Sequence, residues 1–305
     1  MFALAHLSDP HLPMPPAQAG QLLNKRATGY YNWWRHRVHL HVPEALSGVV
    51  ADIKAQKPDH IALTGDLVNV ALPQEFRRAA DWLETFDQPD RLTVVPGNHD
   101  AYVSVPWAEG VGLWGAYIAS DGQSASSAEV FPTLRRRGPI ALIGLSTGVP
   151  KPPFLATGDL GVAQIAQAER LLAEAARDGL CRIVLIHHPP LLDQSRWKHL
   201  TDAAAFQTMI RRVGCEAILH GHNHRSEIAR IAGPDGPVPV LGVASASAAP
   251  GSKYGRARYH LIHVERDRDG WRLEVELRAL AADSRGCAPD GRLVFHSAGA
   301  AAMVS

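Results

Sequence analysis

The sequence predicts an α/β fold in which helices cover β-sheets within one domain. Short apolar runs typical of buried strands alternate with segments whose apolar residues recur at helical spacing. After Ser226 the pattern changes to strands alone, which indicates antiparallel β-structure at the end of an otherwise alternating chain. The length of 305 residues is sufficient for one large domain with a substantial core.

The expected elements follow one another in a regular order. The predicted strands cover 2–8, 60–63, 91–95, 140–145, 182–186, 217–219, 238–243, 258–264 and 271–277. The predicted helices cover 43–56, 73–86, 161–177 and 206–213. Pro43 and Pro73 support two of these helices, because proline is favoured at the first helical position. The pattern weakens near the end, so we expect a catalytic domain over 1–282 and an appendage over 283–305.

Composition and charge exclude several classes of protein. Lys and Arg number 31 against 30 Asp and Glu, so no strong nucleic-acid signal is present. Three scattered cysteines argue against a disulfide framework and favour a reducing compartment. The amino terminus lacks the pattern of a signal peptide, and no run approaches the roughly 20 apolar residues of a transmembrane segment. The expected location is cytoplasmic.

Side chains that bind metals follow five of the predicted strands. They are Asp9 and His11, Asp66, Asn98 and His99, His187, and His222 and His224. Singly, each is more often a turn or core residue than a ligand. Carboxylate, amide and imidazole donors without a nearby cysteine suit Mn, Fe or Zn. Because open α/β sheets place their sites at strand carboxyl ends, the whole set predicts a metal centre there.

Five short blocks also carry a family resemblance. They are Asp9-x-His11, Gly65-Asp66, Gly97-Asn98-His99-Asp100, His187 and Gly221-His222-x-His224. In this order they resemble the motifs of the calcineurin-like metallophosphoesterases, and the match spans roughly residues 2 to 280. The resemblance implies a four-layer αββα sandwich, with helices flanking two mixed β-sheets and the active site at the strand carboxyl ends.

The resemblance further implies the ligands of two divalent metal ions. One ion would be held by Asp9, His11 and His224. The other would be held by Asn98, His187 and His222. Asp66 would bridge the two ions, and His188 is expected to support a ligand or contact the substrate.

The implied reaction is hydrolysis of a phosphodiester or pyrophosphate bond by a hydroxide held between the two ions. Metal ions provide such a nucleophile at neutral pH because they lower the pKa of bound water. His99 follows the ligand Asn98, and neighbouring side chains diverge, so His99 is expected to protonate the leaving oxygen. Asp100 is expected to orient the His99 ring. Asn98, His99 and Asp100 are therefore the predicted catalytic residues.

The segment 20–42 follows the first motif and is predicted to be an insertion near the active site. On a helix its aromatic residues would share an apolar face, with cations around it. One interpretation is an extra helix packed on the domain. The other is a lid that binds a lipid or aromatic group while its cations contact a second phosphate, with peripheral membrane contact through 22–41. The predicted substrate contacts are Arg26, Trp33, Trp34, His188 and Trp197.

Several substrates remain open at this point. One is a small phosphodiester, such as a cyclic nucleotide or a glycerophosphodiester. Another is a nucleotide-linked lipid, as in branches that resemble the UDP-diacylglucosamine pyrophosphatases. A phosphomonoesterase is a third alternative, and the sequence leaves the oligomeric state undetermined. A non-enzymatic scaffold is disfavoured, because scaffolds of this fold have lost metal ligands and this chain retains the full set.

Overall fold

Two six-stranded mixed sheets form the centre of the fold. The computed structural model describes residues 1–253, 255–268, 270–282 and 286–298. The strands are β1 (Phe2–Leu7), β2 (His60–Leu63), β3 (Leu92–Val94), β4 (Thr133–Arg137), β5 (Ile140–Gly144), β6 (Cys181–Leu185), β7 (Ala217–His220), β8 (Glu227–Ala232), β9 (Pro237–Gly242), β10 (Arg258–Asp267), β11 (Gly270–Leu280) and β12 (Cys287–Ala298). The first sheet has the order β12-β11-β10-β1-β2-β3, and the second has the order β4-β5-β6-β7-β9-β8.

The described residues include six α-helices. They are α1 (Arg26–Asn32), α2 (Pro43–Gln56), α3 (Pro73–Phe86), α4 (Gly115–Ile118), α5 (Gly161–Arg177) and α6 (Ala203–Val213). A π-helical turn, Trp33–Arg37, continues directly from α1. None of the helices that the structure describes is both long and apolar enough to cross a membrane.

The core follows the two-residue period of the strands. In β5, Ile140 and Leu142 pack in the same cluster as β1 and β2, whereas Ala141 and Ile143 pack with α5 and α6. Helices α2 and α3 bury side chains such as Val49 and Phe76 in the first cluster. The predicted four-layer αββα arrangement is therefore confirmed.

Three strands, β4, β8 and β12, were not predicted as separate elements. Each lies at the edge of a sheet and is partly exposed, so none has the continuous apolar run that marks a buried strand. Residues 287–298, expected in an appendage, pair with β11 and extend the first sheet. Residues 283–285 and 299–305 lie outside the described residues, and the domain boundary at 282 stays a prediction.

The carboxyl ends of the central strands meet at one edge of the sandwich. Strands β1, β2 and β3 are parallel to one another, as are β5, β6, β7 and β9. The backbone N–H of Ala246 donates to the carbonyl of Ser8 at 2.9 Å, which links the two sheets just beyond β1. The loops that leave both sheets are therefore brought together at this edge.

A buried histidine of the core provides a pH-dependent test of this packing. His260 on β10 lies opposite His6 on β1, and the two ring centroids are 5.5 Å apart. Neither ring nitrogen of His260 has a hydrogen-bond partner among the described residues. Burial, with a smaller contribution from His220, lowers the pKa of His260 to about 3.

Acid is expected to destabilise the protein partly through this side chain. The unfolded chain binds the proton below roughly pH 6.5, whereas the folded chain binds it only near pH 3, so the free energy of unfolding falls as the pH drops through this window. We expect His260→Leu to reduce that fall by about 2 kcal/mol between pH 7.5 and 4.5 in urea titrations. His263→Leu, half-buried on the same strand, is the matched control. If the free energy of unfolding of His260→Leu depended on pH as it does in the wild type, His260 would not be the source of the acid destabilisation.

Candidate active site and metal centre

One cluster of donor atoms joins the ends of β1, β2 and β7. Ligand atoms of Asp9, His11, Asp66 and His224 all lie within 4.8 Å of one another. The Nε2 atoms of His11 and His224 are 3.3 Å apart. Nε2 of His224 is 3.2 Å from Oδ1 of Asp9, and Nε2 of His11 is 3.8 Å from Oδ2 of Asp66. All four side chains are buried.

A second cluster shares Asp66 with the first. Oδ2 of Asp66 lies 3.3 Å from Nε2 of His187. Oδ1 of Asn98 lies 3.2 Å from the same nitrogen and 2.8 Å from Nδ1 of His222. Burial disfavours the charged forms of both Asp66 and His187. The negative charge of Asp66 nevertheless raises the pKa of His187 to about 9, and His187 in turn holds the pKa of Asp66 well below its usual range. Asp66 therefore faces donors from both sheets.

The donor set fits divalent metal ions. Oδ1 of Asp9 is buried and accepts no hydrogen bond from the described residues. The two facing Nε2 atoms of His11 and His224 need a proton or a cation between them, because two neutral acceptors repel. A carboxylate oxygen, an amide oxygen and imidazole nitrogens are ligands that Mn, Fe and Zn accept.

The backbone is strained at five of the seven candidate ligands. Their φ angles are positive, at 53° for Asp9, 39° for His11, 58° for Asp66, 69° for His222 and 54° for His224. Such a conformation costs about 1–3 kcal/mol in a residue other than glycine, and it persists where surrounding contacts hold it. Strain concentrated at these positions indicates that the side chains are aimed at a common centre.

Two glycines allow the loops to approach closely. A Cβ atom at Gly97 would lie 2.8 Å from Cε1 of His187 and closer still to Oδ1 of Asp66. At Gly221 it would overlap Oγ of Ser8 and Oδ2 of Asp9. At both positions the Cβ atom would be closer to its neighbours than real Cβ atoms come, so only glycine fits there.

Asp100 supports the backbone of the site rather than the His99 ring. Its carboxylate accepts the N–H groups of Asp66, Leu67, Val68 and Gly97 at 2.8–3.0 Å. Burial, followed by the charge of Asp66, raises the pKa of Asp100 to about 7. The predicted orienting contact to His99 is wrong, since these four donors hold Asp100 on the loop after β2.

His99 is held by other groups. Its Nδ1–H donates to the carbonyl of Asn69 at 2.5 Å, and its backbone N–H donates to Oδ1 of Asp66 at 2.8 Å. The ring stacks on Tyr102, with centroids 5.9 Å apart. Nε2 accepts a hydrogen bond from Nη1 of Arg37 at 2.8 Å. Burial, followed by the charge of Arg37, lowers the pKa of His99 to about 4.

A cavity of about 1010 Å³ lies over these residues, and its lining includes Asp66, Asn98, His99, His222 and His224. The five predicted substrate residues Arg26, Trp33, Trp34, His188 and Trp197 are absent from the described lining. Each of these residues has other contacts or lies in solvent, and their role as substrate contacts stays a prediction.

Arg26 donates to the carbonyls of Val70 and Ala71 and thereby fixes α1 to the domain. Trp34 and Trp197 are 60% and 49% exposed, and the Trp33 ring packs on Tyr30. His188 is buried behind the site, where Nδ1 lies 2.6 Å from Oγ1 of Thr147 and Nε2 lies 3.1 Å from the carbonyl of Ala156.

Other residues of the insertion line the cavity, and several of them are polar. Its lining residues include Lys25, Thr28, Asn32, His36 and Arg37. Lys25, Thr28, Asn32 and His36 follow one another at spacings of three or four residues, as on one face of a helix. Cations of this segment were expected to contact a second phosphate, whereas Thr28, Asn32 and His36 were missed. Lys151, Phe154 and Lys198 from later loops complete this wall. His41 was also missed, and its ring lies 4.4 Å from that of His11 between centroids.

The fold and the two clusters with a shared carboxylate are typical of dinuclear metallohydrolases. A family model described as calcineurin-like phosphoesterase matches residues 2–226, which is most of the chain. The chain belongs to this family.

Two curated relatives are named as phosphodiesterases of cyclic nucleotides. A cAMP/cGMP dual specificity phosphodiesterase of Mycobacterium tuberculosis is 29% identical over 226 residues, which cover 69% of this chain and 64% of the relative. A probable cyclic nucleotide phosphodiesterase of Rhodococcus erythropolis is 28% identical over 272 residues, which cover 88% and 76%. The chain thus spans somewhat less than two thirds of the length of the first relative.

Solved structures share the fold. A dimetal phosphatase from Danio rerio has a TM-score of 0.62 at 12% identity, with 97% of this chain and 99% of that chain covered. A purple acid phosphatase from yellow lupin has a TM-score of 0.62 at 14% identity, with 96% and 53% covered. At these identities the likeness shows the fold alone.

Proposed function

We propose that this chain hydrolyses a phosphodiester or pyrophosphate bond in a small nucleotide-like substrate, with two divalent metal ions. The observation that carries the proposal is the position of Asp66, whose Oδ2 lies 3.8 Å from His11 in one donor cluster and 3.3 Å from His187 in the other. A carboxylate shared in this way is suited to bridge two ions.

The residues of the two clusters would divide the metal ions between them. Asp9, His11 and His224 would hold one ion. Asn98, His187 and His222 would hold the other, with Asp66 shared by both. Two such ions, Mn, Fe or Zn, supply Lewis acidity that activates a water and neutralises phosphoryl oxygens. Asp100 maintains the loop that presents Asp66 through its four backbone hydrogen bonds.

His99 would donate the proton that the leaving oxygen requires. Its Nδ1–H bond to the carbonyl of Asn69 fixes the ring, so Nε2 is the nitrogen that remains for chemistry. The residue lines the cavity beside Asp66 and Asn98. In the free site Nε2 accepts a hydrogen bond from Arg37 and the pKa of His99 is about 4, so the ring would take up this proton when a negatively charged phosphoester displaces that contact.

The relatives and the exposed residues of the insertion favour different substrates. The names of both relatives support a nucleotide phosphodiester. Exposed Leu23, Tyr31 and Trp34 on the insertion support the alternative of a lipid-linked nucleotide and a peripheral membrane contact. A phosphomonoesterase remains a third alternative, and the cytoplasmic location stays a prediction.

A rate panel tests the proposal. The protein, dialysed with Mn, Fe or Zn, is assayed with bis(p-nitrophenyl) phosphate, 3′,5′-cyclic AMP, a glycerophosphodiester, a UDP-sugar lipid and p-nitrophenyl phosphate. We expect about two ions per chain and faster hydrolysis of diesters or pyrophosphates than of the monoester. A folded protein that binds no metal and hydrolyses nothing would contradict the proposal and support a scaffold role.

A further inference from the structure

Arg37 ends the π-helical turn of the insertion and reaches the centre of the site. We propose that Arg37 binds a phosphate on the leaving-group side of the substrate, so that the preferred substrates are nucleotide pyrophosphates rather than cyclic nucleotides. The inference rests on the proposed function, because it specifies the leaving group of the same hydrolysis. Water adds to one phosphorus, the bond to the bridging oxygen breaks, and that oxygen leaves on the second phosphate.

The position of the guanidinium is the first support. Nη1 donates to Nε2 of His99 at 2.8 Å, and Nη2 lies 3.3 Å from Nε2 of His11, the nitrogen that is assigned to a metal ion. The group therefore lies between the proposed acid and a proposed metal ligand. Since the leaving oxygen must approach Nε2 of His99 to receive a proton, the group beside that nitrogen contacts the leaving group.

The lack of a charged partner is the second support. Among the described residues, no carboxylate lies within ion-pair distance of Arg37, although the side chain is half-buried. Apart from the proposed metal ligand His11, its side-chain partner is the His99 ring, which accepts one hydrogen bond. A guanidinium presents a planar fork of donors that matches two phosphate oxygens, so an anion is the better partner.

The charge of the surrounding wall is the third support. Lys25, Lys151 and Lys198 line the same cavity, whereas Asp66 is the single carboxylate of its described lining. Such an excess of cations favours a substrate with several negative charges over a cyclic nucleotide, which carries one. The positive charge of the wall matches the negative charges of the two phosphates of a pyrophosphate.

The insertion is fixed in place, so Arg37 acts from a positioned wall. Nζ of Lys25 donates to the carbonyls of Tyr102 and Lys151 at 3.3 and 2.9 Å. A Cβ atom at Gly29 would lie 2.5 Å from the Tyr102 hydroxyl, which shows how closely α1 packs there. At the other end, the N–H of Val42 donates to the carbonyl of Ser247 at 2.8 Å. Truncation of Arg37 leaves these contacts intact.

Nucleotide binding gives a test that needs no turnover. AMP and ADP are titrated calorimetrically into the metal-loaded wild type, Arg37→Ala, Arg37→Lys and the exposed control Arg35→Ala. With the terminal phosphate at the metal centre, ADP places its other phosphate on the leaving side. We expect Arg37→Ala to weaken ADP binding by roughly 30-fold and AMP binding by less than about 3-fold, with partial recovery in Arg37→Lys. Equal losses for AMP and ADP would overturn the inference.

Turnover separates this inference from the proposed function. Diadenosine pyrophosphate has a phosphate leaving group whichever phosphorus is attacked, whereas 3′,5′-cyclic AMP has an alkoxide leaving group. We expect Arg37→Ala to lower kcat/KM by about 100-fold for the pyrophosphate and by less than about 5-fold for cyclic AMP. A wild type that hydrolyses cyclic AMP but no pyrophosphate would overturn the inference and leave the proposed function standing. If neither is hydrolysed, the proposed function fails for these substrates and the AMP–ADP comparison alone decides on Arg37.

Discussion

Asp66→Ala is expected to prevent the chain from holding two metal ions and to lower turnover by roughly 10³-fold or more, because metal ions contribute several kcal/mol to phosphoryl transfer. The physical reason is that, among the carboxylates the structure describes, Asp66 is the one shared by both donor clusters, at 3.8 Å from His11 and 3.3 Å from His187. Its loss also leaves His187 without the charge that raises the pKa of that ring to about 9.

Metal content and activity are measured on the same samples. Elemental analysis after dialysis with excess metal should give about two ions per wild-type chain and one or fewer in the variant. Asp66→Asn is a second variant that keeps the size of the side chain and an oxygen for the N–H of His99. Asp81→Ala, exposed on α3, is the matched control. Two ions at full occupancy in Asp66→Ala would exclude the bridging role.

The buried part of the fold could be predicted from the sequence. Helices α2, α3 and α5 begin and end at the predicted residues, and two of them start at Pro43 and Pro73. Central strands such as β2 were equally clear, since burial on both faces requires an apolar run. The edge strand β4 was missed because it is rich in arginine, and Arg135 is buried only by donating to backbone groups such as the carbonyl of Leu92.

The site was predictable in its donor types and less so in its contacts. All seven candidate ligands could be named from their positions after predicted strands and from the order of the short motifs. The contact of Asp100 depends on backbone N–H groups more than thirty residues away, which no local pattern indicates. The orientation of the insertion could not be predicted, because an aromatic face can pack inward or remain exposed; here Trp34 is exposed and Arg37 is among the residues that line the cavity. The positive φ angles of the ligands could not be inferred from residue type.

His99→Ala is expected to affect poor leaving groups far more than good ones. An alkoxide needs a proton as it departs, and a positioned general acid contributes about 10²–10⁴-fold. A nitrophenolate departs without one, so its loss should stay within about tenfold. The ring is positioned for this task by the carbonyl of Asn69 on Nδ1 and by Tyr102 on its face, so truncation removes the donor without removing a proposed metal ligand.

The measurement is the dependence of kcat/KM on the leaving-group pKa across a series of aryl and alkyl phosphodiesters. The slope should be steeper in His99→Ala than in the wild type, and metal content should be unchanged. His39→Ala, an exposed histidine of the insertion, is the matched control and should retain the wild-type slope. Parallel slopes with an equal loss at every leaving group would mean that His99 supports the site through its contacts with Asn69 and Arg37, and that the proton comes from another group.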